Sequence, residues 1–252
     1  ANHFGGGVFI EGSSPLLEYL IVEENHGIHN RGGGIWFNNS NSTLKYSTII
    51  NNIAQDYGGG ISIGNNSTII VEDVIVNNNV TNNHDGGGIH AENSSLTFDG
   101  GNISNNTSSN DGGGIYSDNS IIVISNAMVS NNYSASDGAG IHAQNESNLE
   151  IYDSWLTNNS TSEGSGSGGG IYLYQSSTAV VNNTEISGNS CSGYGGGVYL
   201  YDYSNIELYN STLTNNSYLV DGSSAIHVYD VESNAQIINC IIWNNLHSDQ
   251  IG

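Results

Sequence analysis

The chain has 252 residues, 36% of them hydrophobic, and a formal net charge of −22, with Arg31 and Lys45 its only Lys or Arg side chains. That balance excludes nucleic-acid binding through phosphate contacts, which Lys and Arg supply, and an anionic membrane surface would repel the chain for the same reason. No apolar run approaches the roughly 20 residues needed to cross a bilayer, so no direct membrane insertion is expected; Ala1, with neither a signal-peptide pattern nor an initiator Met, reads as a mature or excised start.

In chain order, a glycine triplet followed by Ile or Val opens each unit. It stands at Gly5-Gly6-Gly7-Val8, Gly32-Gly33-Gly34-Ile35, Gly58-Gly59-Gly60-Ile61, Gly86-Gly87-Gly88-Ile89 and Gly112-Gly113-Gly114-Ile115. It continues as Gly138-Ala139-Gly140-Ile141, Gly168-Gly169-Gly170-Ile171, Gly195-Gly196-Gly197-Val198 and a worn Ser223-Ser224-Ala225-Ile226. The anchors recur every 26–30 residues, a period that means stacked repeats. Each unit closes on an Asn, preceded by a second Asn except at Glu24-Asn25 and Gly188-Asn189, indexed at Asn25, Asn52, Asn78, Asn106, Asn132, Asn159, Asn189, Asn216 and Asn245. The spacing from this Asn to the next anchor varies most, so length variation gathers in one loop per turn.

Apolar columns appear when the units are aligned. Three residues before the indexed Asn lie Val22, Ile49, Ile75, Ile103, Val129, Leu156, Ile186, Leu213 and Ile242. Eight before it lie Leu17, Leu44, Ile70, Phe98, Ile124, Ile151, Val181, Leu208 and Ile237. Alternation within a segment and identity between turns mark strands stacked in parallel. The reading is all-β: a right-handed parallel β-helix of about nine rungs, three short strands per rung, roughly 40 Å long. A leucine-rich repeat is the alternative, but no segment has the 3.6-residue period of its helical side. Residues 1–252 form a single domain, and neither end reads as a cap, so the chain is expected to be a fragment or a stacking subunit. Cys191 and Cys240 fall at different points of their repeats, and the sequence leaves their oxidation state open.

The Gly-Gly-[small]-[Ile/Leu/Val] and apolar-x-x-Asn pieces, such as Gly112-Gly113-Gly114-Ile115 with Val129-Ser130-Asn131-Asn132, resemble the repeats of the chlamydial polymorphic outer-membrane proteins and related bacterial β-helix surface proteins. The resemblance covers nearly the whole chain and implies a β-helical adhesin. The family's Phe is Ile or Leu here, and no membrane-barrel segment is present.

Three sets of residues are candidates for function. The residue after each anchor, and the residue two further on, are expected to face outward. They give an aromatic ligand or assembly face of Trp36, Tyr116, Tyr172, Tyr174, Tyr199, Tyr201 and Tyr229, suited to sugar rings or a packed partner. Cross-rung stacking that stabilises the sheet is the competing reading. Asp85, Asp111 and Asp137 precede three successive triplets; stacked carboxylates either share a cation, calcium being the one cofactor considered, or cap turn amides. About 16 Asn-x-Ser/Thr sequons occur, and Asn79, Asn106, Asn132 and Asn159, beside the variable loop, are expected to be the exposed N-glycosylation sites.

The expected function is an extracellular or cell-surface, non-catalytic structural and adhesive rod, partnered by glycans, by itself end to end, or by both. The alternative is a polysaccharide lyase or glycoside hydrolase, for which Glu92 and Asp118 are an adjacent carboxylate pair and Arg31 and Lys45 the available cations.

Overall fold

Every turn of the chain is built the same way because the same residue types return to the same corners. A computed structural model describes residues 5–27, 31–162, 164, 166–219 and 223–247; the Ala1 start lies outside them. Among these residues the regular elements are all strands, paired in parallel into three sheets that run the length of a solenoid.

The first sheet has nine strands and starts at the anchors, from Val8–Glu11 through Ile115–Asp118 to Ile226–Val228. Its register keeps the anchor column intact: Ile35 pairs with Ile61, Ile89 with Ile115, Ile141 with Ile171, and Val198 with Ile226. The second sheet takes two segments per turn, such as Asn148–Tyr152 and Trp155–Thr157, which fuse into single strands at Thr68–Asn77 and Ser95–Ser104. Between the two segments sits a left-handed residue, for example Asn126 or Asp153, types that tolerate that conformation. The third sheet is made of two-residue strands such as Ile53–Ala54 and Val80–Thr81. Three sheets per rung match the expectation, and the two apolar columns before the Asn both belong to the second.

The core is a narrow apolar column, with Ile35, Phe37, Leu44, Ile49 and their counterparts in each interior turn fully buried. One rung departs from the expected columns. Ile70 and Ile75 are 41% and 39% exposed, while Val71 and Val76, one residue later, are fully buried. The run Asn77-Asn78-Asn79 leaves the register open in the sequence, and the fold places Asn79, not Asn78, in line with Asn52 and Asn106. A one-residue slip sends every side chain of a strand to the other face. Ile237 and Ile242 also lie outside the core, 43% and 47% exposed, because no further described turn covers them.

The corners carry polar ladders. The backbone N–H of Asn52 donates to Asn79 Oδ1 at 3.0 Å, and the Asn52 side-chain amide donates to the same oxygen and to the Val22 carbonyl. The pattern repeats through Asn106, Asn132, Asn159, Asn189 and Asn216. Each interior amide thus satisfies backbone groups that burial would otherwise leave unpaired. A serine ladder does the same at the first corner, where Ser40 N–H donates to Ser67 Oγ and Ser67 N–H to Ser94 Oγ.

The glycine triplet fits between these ladders. Gly58 has φ +64°, a conformation that favours glycine. A Cβ on Gly59 would lie 2.4 Å from the Gly87 carbonyl oxygen, and one on Gly60 would lie 2.9 Å from Asn79 Nδ2. The third glycine is therefore held small by the next turn's carbonyl, 2.7 Å from such a Cβ at Gly60, together with the asparagine ladder. The middle position admits one methyl, at Ala139, which is fully buried.

Candidate functional site

The residue after each anchor points away from the core, and these side chains stack along the solenoid. The rings of His90, Tyr116, His142, Tyr172, Tyr199 and His227 follow one another at centroid distances of 5.3, 5.2, 4.8, 5.0 and 5.5 Å. Parallel pairing in register places them one above the next.

This row is not the open face expected from the sequence. Tyr116, Tyr172 and Tyr199 are only 6–7% exposed, and His90 and His142 only 2%. The chain entering each triplet folds over the row: a Cβ on Gly112 would come within 2.6 Å of Tyr116 Cβ, and the Tyr57 ring sits 4.7 Å from that of His90. Burial pushes the Tyr116 and Tyr172 phenols well above the ordinary tyrosine value, with nearby aspartate charges adding to the effect. It drives His90 down to about 3, helped by the charges of Arg31 and His84. Nδ1 of His90 and both ring nitrogens of His142 are buried with no hydrogen-bond partner among the described residues. Ring stacking and covering chain, rather than hydrogen bonds, hold these histidines.

The aspartates that precede the triplets form a ladder of their own. Asp85 Oδ1 accepts the Asp111 N–H at 3.1 Å, Asp111 Oδ1 accepts the Asp137 N–H at 2.9 Å, and Asp137 Oδ1 accepts the Ser167 N–H at 2.7 Å. Burial raises the Asp85 carboxyl above its usual range and lifts Asp137 to about 6. Among the described residues no group of three or more His, Cys, Asp or Glu is placed to hold a metal ion. Oδ1 of each of Asp85, Asp111 and Asp137, the residues considered for calcium, thus serves a backbone amide of the neighbouring turn.

Beyond Asp137 the same column changes character. Its next members are Ser167 and then Tyr194, each immediately before a triplet. Along this stretch lies a hollow of about 270 Å³ lined by Asp137, Ser167, Tyr172, Tyr194, Tyr199, Tyr201 and Tyr229. Tyr201 and Tyr229 meet edge to face at 5.1 Å, and Tyr194 stacks on Tyr199 at 6.0 Å. The hydroxyls of these five tyrosines make no hydrogen bond to the described protein, and neither does Asp137 Oδ2.

The hollow brings together four of the seven expected face residues: Tyr172, Tyr199, Tyr201 and Tyr229. Tyr174 stacks on Tyr201 at 5.5 Å beside it. Tyr116 lies deeper in the covered row, and Trp36 packs on Phe9 at the other end of the solenoid. Sequence reasoning missed Ser167 and Tyr194. Their signal was the position occupied by the three aspartates, one residue before a triplet.

The sequon expectation is also corrected. Asn79, Asn106, Asn132 and Asn159 are fully buried in the asparagine ladder, so their amides have no room for a sugar. The neighbouring sequon residues Asn105, Asn158 and Asn215 are exposed and left-handed. Cys191 is buried, its thiol pushed up to about 12 chiefly by burial, and Cys191 and Cys240 are both free cysteines. The paired carboxylates weighed for catalysis do sit side by side, Glu92 opposite Asp118. Each has a structural partner: Glu92 pairs with Arg31, and Asp118 accepts the amides of Gln144 and Asn145, both at 2.9 Å. Lys45 pairs with Glu72 at 2.8 Å.

Residues 95–250 match the family model of the right-handed β-helix region. The chain belongs to the right-handed β-helix family. No curated protein and no solved structure matches it. The matched span of the β-helix contains the asparagine ladder from Asn106 onward, most of the covered aromatic row and the whole tyrosine hollow.

Proposed function

We propose that this β-helix is an extracellular, non-catalytic structural and adhesive rod that holds carbohydrate in its tyrosine hollow. The observation that carries the reading is the set of five tyrosines around one cavity, with hydroxyls that make no hydrogen bond to the described protein. Tyrosine rings present apolar faces to the C–H faces of a sugar, and their hydroxyls supply the hydrogen bonds that fix its orientation. The volume lies just below the ~300–1,000 Å³ usual for small-molecule sites, which suits a single ring of a glycan.

Among the described residues the hollow has one carboxylate, Asp137, whereas most glycosidases flank the scissile bond with two. That count, together with the structural partners of Glu92 and Asp118, supports binding over hydrolysis. The resemblance of the repeats to chlamydial polymorphic outer-membrane proteins supports a cell-surface setting.

A glycan array probed with the intact chain tests the reading. Tyr201→Ala and Tyr229→Ala, both at exposed positions, should each weaken binding about fivefold and leave the melting temperature within a degree or two. Saccharide turnover in the same mixtures would overturn the non-catalytic assignment, and an empty array would overturn adhesion.

A further inference from the structure

The hollow differs from a neutral sugar site in its charge. Among the described residues its one formally charged lining group is the Asp137 carboxylate, in a chain of 24 acids and two Lys or Arg residues. Both of those cations are held elsewhere, Arg31 by Glu92 and Lys45 by Glu72. An anionic sugar would therefore meet a carboxylate with no Lys or Arg to offset it. Asp137 spends one oxygen on the Ser167 amide and keeps the other without a protein hydrogen bond among the described residues. The rings of Tyr172, Tyr194, Tyr199, Tyr201 and Tyr229 line the same hollow, with Tyr172 one turn along the solenoid from Asp137, Tyr199 and Tyr201 two turns, and Tyr229 three. A carboxylate with aromatic rings beside it is a combination that favours a cation, through ring quadrupoles and a direct ion pair.

We infer that the hollow takes a saccharide bearing a free amino group, its ammonium seated among the tyrosine rings and paired with Asp137. The inference rests on the adhesive reading above and specifies the glycan class. The ammonium pairs with Asp137 beside Tyr172 and Ser167, and the oligosaccharide continues along the hollow to Tyr201 and Tyr229, the more open rings, two and three turns away. N-acetylation would remove the charge and add bulk where the carboxylate needs a partner.

The test uses the intact chain at pH 7 and moderate salt, titrated calorimetrically with three oligosaccharides of equal length: glucosamine, N-acetylglucosamine and galacturonate. The glucosamine oligomer should bind at least tenfold more tightly than the acetylated one, and the galacturonate oligomer should not bind. Asp137→Asn keeps an acceptor for the Ser167 amide and removes only one of the 24 acids, so general attraction to a cation persists. It should erase most of the tenfold preference. Tyr229→Ala, at a 57% exposed residue that the fold does not need, should weaken the glucosamine oligomer about fivefold even if Asp137→Asn fails to fold. Equal or tighter binding of the acetylated oligomer overturns this inference and leaves adhesion standing. Binding of the glucosamine oligomer that neither variant changes marks non-specific attraction and also overturns it. An array and titrations without any saccharide binding overturn both readings.

Discussion

The turns carrying Asp85, Asp111 and Asp137 and the turns carrying Ser167 and Tyr194 share one backbone plan and one aromatic row, yet the first region is closed and the second is open. In the closed region each carboxylate bonds the next turn's amide, and His90, Tyr116 and His142 lie buried beneath. In the open region the neutral Ser167 continues the ladder, its Oγ accepting the Tyr194 N–H at 3.2 Å, and the tyrosine hollow lies alongside. The residue just before the glycines is Asp in the first region and Ser or Tyr in the second. A solenoid allows this because each turn contacts only its neighbours, so a local substitution changes the surface without disturbing the coil.

The largest effect should come from the ladder common to both regions. Asn106→Ala removes the acceptor of the Asn79 amide and the donor to the Val76 carbonyl, leaving buried polar groups unpaired. A loss of about 3 kcal/mol is expected, and Asn189→Ala, in the open region, should cost a similar amount. Urea unfolding measures both; a much smaller cost at Asn189 would mean that the open region is not held by the same ladder.

Acidity should separate the regions next. Asp137 titrates at about 6 when folded, above its ordinary value of 3.8, so the folded state binds more protons between those values. Stability from this group is present below about pH 4 and is lost as pH rises through 6, by up to roughly 3 kcal/mol. Asp85, also raised, acts in the same direction. Melting curves across pH 4–7 should flatten in Asp137→Asn, and an unchanged slope would remove Asp137 as the source.

The smallest stability effect and the sharpest functional one should come from converting the open region toward the closed one. Ser167→Asn extends the column with a neutral isostere of its aspartates, and its side-chain oxygen can accept the Tyr194 N–H that Ser167 Oγ accepts at 3.2 Å. Saccharide binding should fall about tenfold while the unfolding midpoint shifts by less than about 1 kcal/mol. Undiminished binding would show that the small side chain at Ser167 does not create the site.

The fold was legible because a repeat writes its rules many times. The anchors, the apolar columns and the Asn pair located the sheets and corners, and they erred where the text was ambiguous. At Asn77-Asn78-Asn79 three identical side chains gave no register, and Ile70 and Ile75 went to the wrong face. The tyrosines of the hollow were visible as an outward column. Their partial burial was not, because the chain that covers them varies in length and has no periodic pattern. The exposed glycosylation candidates were misplaced for a related reason: the sequence could not say which Asn of each pair faces inward, and the sequon reads the same in both orientations.

The amino-acid sequence by itself determined the parallel coil, its period, its acidic surface and the alignment of like residues from turn to turn, since these follow from spacing and side-chain type alone. The tertiary structure decided which aligned residues are covered. Asn106 became a buried ladder rung instead of a sugar site, Asp111 an acceptor of the Asp137 amide, and Tyr201 and Tyr229 the open rim of a hollow. The physical reason is that exposure depends on what a neighbouring turn lays across a residue, and that distance through space is not a distance along the chain.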